Sequence, residues 1–244
     1  MIFLSRLQLD PLARRVQTEL ARPYEMHRTL CHAFPDLAGD NWTAARVLFR
    51  VDDDGGRLHL LVQSKREPDW RAFSRHLNNA RYLLTAPQVK EWEPLFNAGQ
   101  TLRFRLQANP TFRPKKEDGG DGVRRGLYRE HERLDWLARQ SARCGFALPR
   151  TRMTLQGNGE PIIFRGRPHE ELALDVPICQ VVDLNDGRRF QLPDRKIQFS
   201  AARFDGVLQI SDVGLFTDAL ESGIGPAKGF GFGLLSVALT ESRS

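Results

Sequence analysis

Apolar and polar residues alternate loosely over residues 2–9, the two-residue period of a strand with one buried face, and Asp10-Pro11 ends that run in a form that can open a helix. Helical spacing resumes at Pro23. Proline is tolerated in a first turn, Glu25 suits the positive end of the helix dipole, and Met26, Leu30, Ala33 and Leu37 recur every three or four residues. Pro35 sets the end of the regular helix near Phe34. Residues 46–51 and 58–64 are β-type runs, and Asp52-Asp53-Asp54-Gly55-Gly56 between them has the composition of a hairpin turn. Beyond a turn at Glu67-Pro68-Asp69-Trp70, the stretch to residue 84 predicts a short helix. Residues 101–108 then alternate cleanly, with Leu102, Phe104 and Leu106 on one face. In order these elements read βαββαβ, the ferredoxin-like arrangement, which also underlies RNA-recognition modules and serves many unrelated functions.

Residues 109–125 are rich in proline, glycine and charge, the mark of an exposed loop or linker. The chain is therefore divided into an N-terminal unit over 1–110, a basic connecting segment over 111–126 and a C-terminal unit over 127–244. Residues 127–143 form the most amphipathic helical stretch, with Leu127, His131, Leu134 and Ala138 expected on its buried face. Strand-like runs at 146–155, 172–184, 196–204, 207–210 and 232–239, with a helix-like run at 213–220, predict a second small α+β unit whose strand order the pattern does not give.

Composition narrows the function classes. No stretch approaches the ~18 uncharged apolar residues of a membrane span, and residues 1–9 are too short and polar for a signal segment, so a cytoplasmic protein is expected. Cys31, Cys144 and Cys179 lack CxxC spacing, which argues against a disulfide framework and a structural zinc site. The net charge of +6 is regional: residues 103–152 hold 13 Lys/Arg against 6 Asp/Glu, leaving 23 against 24 elsewhere. Such a stretch suits nucleic acid, and an acidic protein partner equally well.

Tyr24 and His27 stand three apart, on one face of the expected helix. Metal-free RNA cleavage requires a ribose 2′-hydroxyl to lose a proton, charge on the phosphorane to be stabilised, and the departing 5′-oxygen to gain a proton. Histidine exchanges protons near neutrality, and tyrosine suits hydrogen bonding and orientation. Arg28 and His32 are near enough in sequence to help hold a phosphate, although the same pattern describes an ordinary packing pair. The other pattern is residues 223–233, with five glycines in eleven residues: Gly223, Gly225, Gly229, Gly231 and Gly233, and with Lys228 among them. Glycines let backbone approach a ligand and can present successive N–H groups to phosphate, or simply permit a tight turn. The segment lacks GK[ST] and enters a strand, which excludes a Walker loop and reverses the Rossmann context. His59, His76, His131 and His169 fall on segments of different type without metal-ligand spacing, and Ser141 and Ser236 lack a nucleophile elbow.

Four blocks in order, 23–30 (PYEMHRTL), 67–70 (EPDW), 104–110 (FRLQANP) and the glycine segment running into 234–237 (LLSV), closely resemble the CasE family, the CRISPR RNA endoribonucleases of type I-E Cascade. The glycine segment also fits the GΦGxxxxxGΦG form of the wider repeat-associated RNA-binding superfamily. The resemblance implies an α+β protein of two tandem ferredoxin-like, RRM-like domains with antiparallel sheets. It implies metal-independent cleavage of CRISPR precursor RNA on the 3′ side of the repeat stem-loop, leaving a 5′-hydroxyl and a 2′,3′-cyclic phosphate, without a cofactor. His27 matches the family's catalytic histidine and Tyr24 its accompanying tyrosine. Where some members carry a lysine shortly afterwards this chain has Cys31-His32, so His32 is the candidate third contributor. The cations available to grip a repeat RNA hairpin are Arg113, Lys115, Lys116, Arg124 and Arg125 in the first loop, and Arg188, Arg189, Arg195 and Lys196 around Asn185-Asp186-Gly187. Gly223, Gly225, Lys228, Gly231 and Gly233 join them as candidate RNA contacts. The expected partners are the repeat hairpin and other Cascade subunits, with no membrane, and a monomer in isolation. A non-catalytic RNA-hairpin-binding subunit of the same fold and a protein-interaction scaffold are the competing readings.

Overall fold

The computed structural model describes residues 1–37, 42–78, 81–115, 120, 122–157, 160–164, 166–184, 190–192, 195–197 and 199–240. The first sheet holds β1 (Ile2–Gln8), β2 (Leu48–Asp54), β3 (Arg57–Ser64) and β4 (Gln88–Trp92) in the order β2-β3-β1-β4, all pairs antiparallel. The β2–β3 turn is the expected hairpin. Gly55 and Gly56 both have positive φ (59° and 86°), the geometry that matches strand twist, and the Gly56 N–H donates to Asp53 Oδ1 at 2.8 Å. Between β1 and β2 lie α1 (Arg14–Ala21) and α2 (Pro23–Cys31), and between β3 and β4 lies α3 (Trp70–His76).

α2 ends at Cys31 rather than near Phe34, because the ring of Pro35 conflicts with the carbonyl four residues back and disfavours helical geometry at Phe34. α3 begins at Trp70 because Asp69 caps it, its carboxylate accepting from the N–H groups of Arg71 and Ala72 at 2.9 Å each. The apolar faces of α1, α2 and α3 and the inner face of the sheet form one core, including Val16, Met26, Leu30, Phe49, Leu60, Phe73 and Tyr82. Glu19 is buried within it and satisfied three ways: by Arg15 at 2.9 Å, Thr29 Oγ1 at 2.7 Å and the Tyr82 hydroxyl at 2.6 Å. That network clamps α1, α2 and the approach to β4 together.

β5 (Thr101–Ala108) is a strand with the expected face, but it does not close the first sheet. It hydrogen-bonds to β7 (Ala202–Ile210) and β8 (Leu235–Leu239), with β6 (Cys179–Asp183) beyond β7, in the order β6-β7-β5-β8. The fourth strand of the first sheet is β4. With α4 (Glu130–Arg143) after β5 and α5 (Val213–Ser222) after β7, the second half is itself βαββαβ, in the same spatial strand order as the first. The basic stretch after β5 therefore lies inside the second unit, between its first strand and first helix.

α4 buries Arg133, Trp136, Leu137 and Ser141, while His131 and Ala138 are exposed, so the buried face is rotated from the expected one. Trp136 offers the largest apolar area and sets the face, its ring stacking on Phe204 at 6.0 Å. Arg133 accompanies it inward because its Nε donates to the Leu127 carbonyl at 3.1 Å and its Nη2 pairs with Asp183 at 3.2 Å.

The two halves are joined by side chains from the far face of the first sheet. Gln63 donates to the Leu220 carbonyl at 2.8 Å, and Arg50 donates to Ser236 Oγ at 3.0 Å. Arg50 also grips Asp52 through three contacts of 2.9–3.1 Å, Asp52 lies 3.9 Å from Arg105, and Arg105 and Arg203 share the carboxylate of Asp205. Among the described residues, no helix is long and apolar enough to cross a membrane.

Candidate active site

α2 starts with Pro23 at its first helical position, and three-residue spacing then places Tyr24 and His27 on one flank. Tyr24 is 41% exposed and His27 is half-buried. Their ring centroids are 6.2 Å apart. Above them lies the glycine-rich connection from α5 to β8. It forms a short 3-10 turn at Lys228–Phe230 whose backbone meets the pair: a β-carbon on Gly229 would sit 3.5 Å from His27 Cδ2 and 3.7 Å from the Tyr24 ring. Phe230 lies against Tyr24 at 5.4 Å, and Phe49 stacks on His27 at 6.1 Å and 15°.

The glycines are explained by this approach. Gly223, Gly225, Gly231 and Gly233 all have positive φ, from 74° to 91°. A β-carbon at Gly223 would reach Leu48 at 2.9 Å, and one at Gly231 would reach Phe49 at 3.2 Å. The Ile224 N–H donates to the Gly233 carbonyl at 2.9 Å and the Gly233 N–H to the Gln107 carbonyl at 2.7 Å, so the two ends of the GΦG…GΦG segment pair and fix the turn between them on β5. Lys228 folds back over Gly233, where a β-carbon would lie 3.3 Å from its Cγ. Burial first, and Arg46 second, hold its pKa below the ordinary lysine value.

Burial likewise lowers the His27 pKa from its ordinary 6.5. Its Nε2 is 3.9 Å from Cys31 Sγ, one helical turn on, and its Nδ1 is buried without a hydrogen-bond partner. The Cys31 thiol, itself buried, is pushed up to about 12 and stays protonated. The imidazole is thus held on three sides by Phe49, Cys31 and Gly229, with one nitrogen unsatisfied. Phe49 and Phe230 were not singled out from the sequence, and Cys31 was noted only as a thiol and as the neighbour of His32. Only Cys31, four residues from His27, carried a readable signal.

The remaining candidates divide. Arg28 is exposed and pairs with Glu25 at 3.2 Å. His32, five residues beyond His27 and so about 140° further round the helix, stacks on His76 at 3.4 Å. Burial first, then His76, Arg15 and Arg28, lower its pKa. Arg113, Lys115, Arg124 and Arg125 are all exposed, on a small ribbon in which Phe112 pairs with Arg125 and Thr111 with Gly126. Lys116, Arg188 and Arg189 lie outside the described residues. Arg195 and Lys196 fall on a short strand, Arg195–Ile197, paired with Phe190–Leu192, and their side chains are likewise outside the description. Among the described residues no group of three or more His, Cys, Asp or Glu is placed to hold a metal ion.

Two βαββαβ units in one chain, with a phenol and an imidazole of the first under a glycine-rich turn of the second, define a tandem ferredoxin-like protein. The chain belongs to the CRISPR-associated protein family, whose model, described as CRISPR associated protein, matches residues 2–238. It is 32% identical over 239 residues to the CRISPR-associated endoribonuclease Cse3 of Thermus thermophilus, covering 97% of this chain and 100% of that relative. It is 29% identical over 224 residues to the CRISPR system Cascade subunit CasE of Escherichia coli K12, covering 88% and 91%. The solved structure of Thermus thermophilus Cse3 bound to an RNA representing a pre-cleavage complex matches with a TM-score of 0.71 at 31% identity, covering 97% of this chain and 98% of that one. These relatives bear out the resemblance to the CasE family and the tandem ferredoxin-like expectation.

Proposed function

We propose that the protein is a CRISPR RNA-processing endoribonuclease that cuts precursor RNA on the 3′ side of the repeat stem-loop without a metal ion. The observation that carries this reading is the packing of the glycine-rich turn on Tyr24 and His27, which joins a proton-exchanging imidazole, a phenol and a lysine-bearing loop in one place. The endoribonuclease name of one relative and the RNA bound in its solved structure support it.

In the reaction, the 2′-oxygen of the nucleotide before the cut bonds to phosphorus as the bond from phosphorus to the 5′-oxygen breaks. The 2′-hydroxyl proton is lost and the 5′-oxygen gains one, giving 2′,3′-cyclic phosphate and 5′-hydroxyl ends. His27 exchanges these protons and Tyr24 orients the phosphate or the 2′-hydroxyl. Because burial disfavours the imidazolium, His27 in the free protein favours the neutral form, which accepts a proton. The first-loop cations Arg113, Lys115, Lys116, Arg124 and Arg125 grip the hairpin, with Arg188, Arg189, Arg195 and Lys196 as a second group and Arg28 beside the site. Gly223, Gly225, Gly231 and Gly233 shape the turn that brings Lys228 near the RNA. His32 is turned toward His76, on another flank of the helix from His27, and is a further candidate RNA contact. The protein works in the cytoplasm and keeps its product as a Cascade subunit, and the division between its two domains falls in the connection from β4 to β5.

A non-cleaving hairpin-binding subunit is the second reading, favoured by the cover over His27 Nδ1. Incubating purified protein with labelled repeat RNA in excess chelator separates the two. One cut, blocked by a single 2′-deoxy substitution before it, is expected. Tight hairpin binding with no product would establish the second reading, and weak, salt-sensitive binding indifferent to the hairpin would point to a protein scaffold.

A further inference from the structure

Beside the Tyr24/His27 pair, a cleft of about 520 Å³ opens between the first sheet, the start of α2 and the second sheet. Its lining includes Phe49, Phe230, Arg105, Gln107, Arg203 and Asp53. Two of these walls belong to the candidate active site as well: Phe49 stacks on His27, and Phe230 lies against Tyr24. A group seated in the cleft is therefore contiguous with a phosphate held at Tyr24 and His27. The Phe230 ring is half-buried and backed by Phe199 at 4.8 Å, which makes it a supported aromatic surface.

The charges select the kind of group. The charged lining is Arg105 and Arg203 against Glu19, Asp52 and Asp53, and the ion partners behind it, Arg15 on Glu19, Arg50 on Asp52, and Asp205 on Arg105 and Arg203, bring the count to four cations against four carboxylates. A phosphate prefers surplus cations. A cleft of balanced charge with an aromatic wall suits a neutral, planar heteroaromatic ring, whose face stacks while guanidinium and amide groups meet its edge.

We propose that this cleft receives one unpaired nucleobase of the RNA, that of the nucleotide on the 3′ side of the scissile phosphate. The inference rests on the endoribonuclease reading above. The nucleotide before the cut belongs to the stem, where pairing holds its base, whereas the one after it is single-stranded and can be splayed out. Seating that base fixes the ribose that carries the departing 5′-oxygen, and so aligns the bond to be broken with the attacking 2′-oxygen.

The test uses the full chain and a repeat RNA made uncleavable by a 2′-deoxy nucleotide before the cut, with 2-aminopurine as the first base after it. Binding is expected to quench the probe, and an abasic site at that position to weaken affinity roughly ten-fold. Phe230→Ala should make intact and abasic RNA bind alike, and Phe230→Leu, which keeps an apolar side chain, should do the same if the alanine variant fails to fold. A probe that brightens on binding, or equal affinity of the wild-type protein for intact and abasic RNA, overturns the proposal whatever the variants do. Cleavage of unmodified RNA by the same preparation keeps the two readings apart. A cut without dependence on this base removes the cleft assignment alone. Failure to cut removes the endoribonuclease reading, while quenching and the abasic comparison still decide the cleft.

Discussion

The two halves share one strand order and differ in how the last helix returns to the last strand. In the first half, the path from α3 to β4 closes on its own core: Tyr82 is buried with its hydroxyl on Glu19, and Leu83 bridges to Leu9. In the second half the same connection is the glycine-rich segment, and it leaves its own unit. Gly223 meets Leu48, Gly231 meets Phe49, and Gly229 meets Tyr24 and His27, all in the first half. The equivalent position in one topology is thus spent on its own core in one copy and on the candidate site in the other. Glycine is required where backbone must lie against a neighbour's side chain with positive φ.

The comparison breaks most severely at His27. His27→Ala should lower the single-turnover cleavage rate by roughly 10²–10⁴-fold, with hairpin affinity changed only a few-fold in a filter-binding assay. Retained cleavage would remove His27 from the chemistry and leave the glycine turn as a packing device. The next effect is at the joint between halves. Arg50 is 3% exposed and bonded to both Asp52 and Ser236, so Arg50→Met leaves Asp52 with Arg105 at 3.9 Å. A loss of roughly 1.5–3 kcal/mol in urea unfolding is expected. Lower cooperativity should accompany it if the halves then unfold separately.

A paired glycine experiment sharpens the contrast. Gly231→Ala places a β-carbon 3.2 Å from Phe49 at φ +83°, whereas Gly55→Ala in the first-half hairpin, at φ +59°, meets nothing within 4 Å. Both should destabilise by about 1–2 kcal/mol through the backbone. Only Gly231→Ala should also slow cleavage, since Phe49 carries the face on which His27 rests. Equal cleavage rates in the two variants would mean that the turn does not set the imidazole's position.

Much of this was readable from local pattern. The β2–β3 hairpin and the alternation of β5 depend on neighbours in sequence, and the structure has them where expected, whereas the helix expected up to residue 84 ends at His76. Alternation fixes which face of a strand is apolar and says nothing of its partners, so β5 was recognised as a strand and assigned to the wrong sheet. The α4 face was misread because Leu134 and Ala138 were weighed like Trp136, whose area decides the packing, and because a buried Arg133 looks like a surface cation until its partners are known. At the site, Tyr24 and His27 were legible as an i,i+3 pair. Phe49 and Phe230 were not, since an aromatic facing an imidazole has the same local pattern as one facing the core.

The smallest expected effect concerns acid. His27, His32 and His76 all lie in the first half, and each has its pKa lowered, with burial the largest cause in every case. A histidine whose folded pKa lies below its unfolded value of 6.5 binds protons more readily when unfolded, so its contribution is complete above that value and is lost as pH falls through the folded pKa. The His32–His76 pair makes the direction specific. Arg15 donates to His76 Nε2 at 3.3 Å, which requires a neutral acceptor, and protonation would set an imidazolium against Arg15 from α1, Arg28 from α2 and the stacked partner ring, with Glu19 opposing at His76. The melting temperature should therefore fall from pH 7.5 to 5.5, and His76→Gln, which keeps an acceptor and removes a proton site, should flatten that slope. An unchanged slope in His76→Gln would leave the acid sensitivity with His27 and His32, and His27→Gln would then be expected to flatten it. The glycine turn, by covering the imidazole, would then tie stability to the same burial that sets its proton affinity.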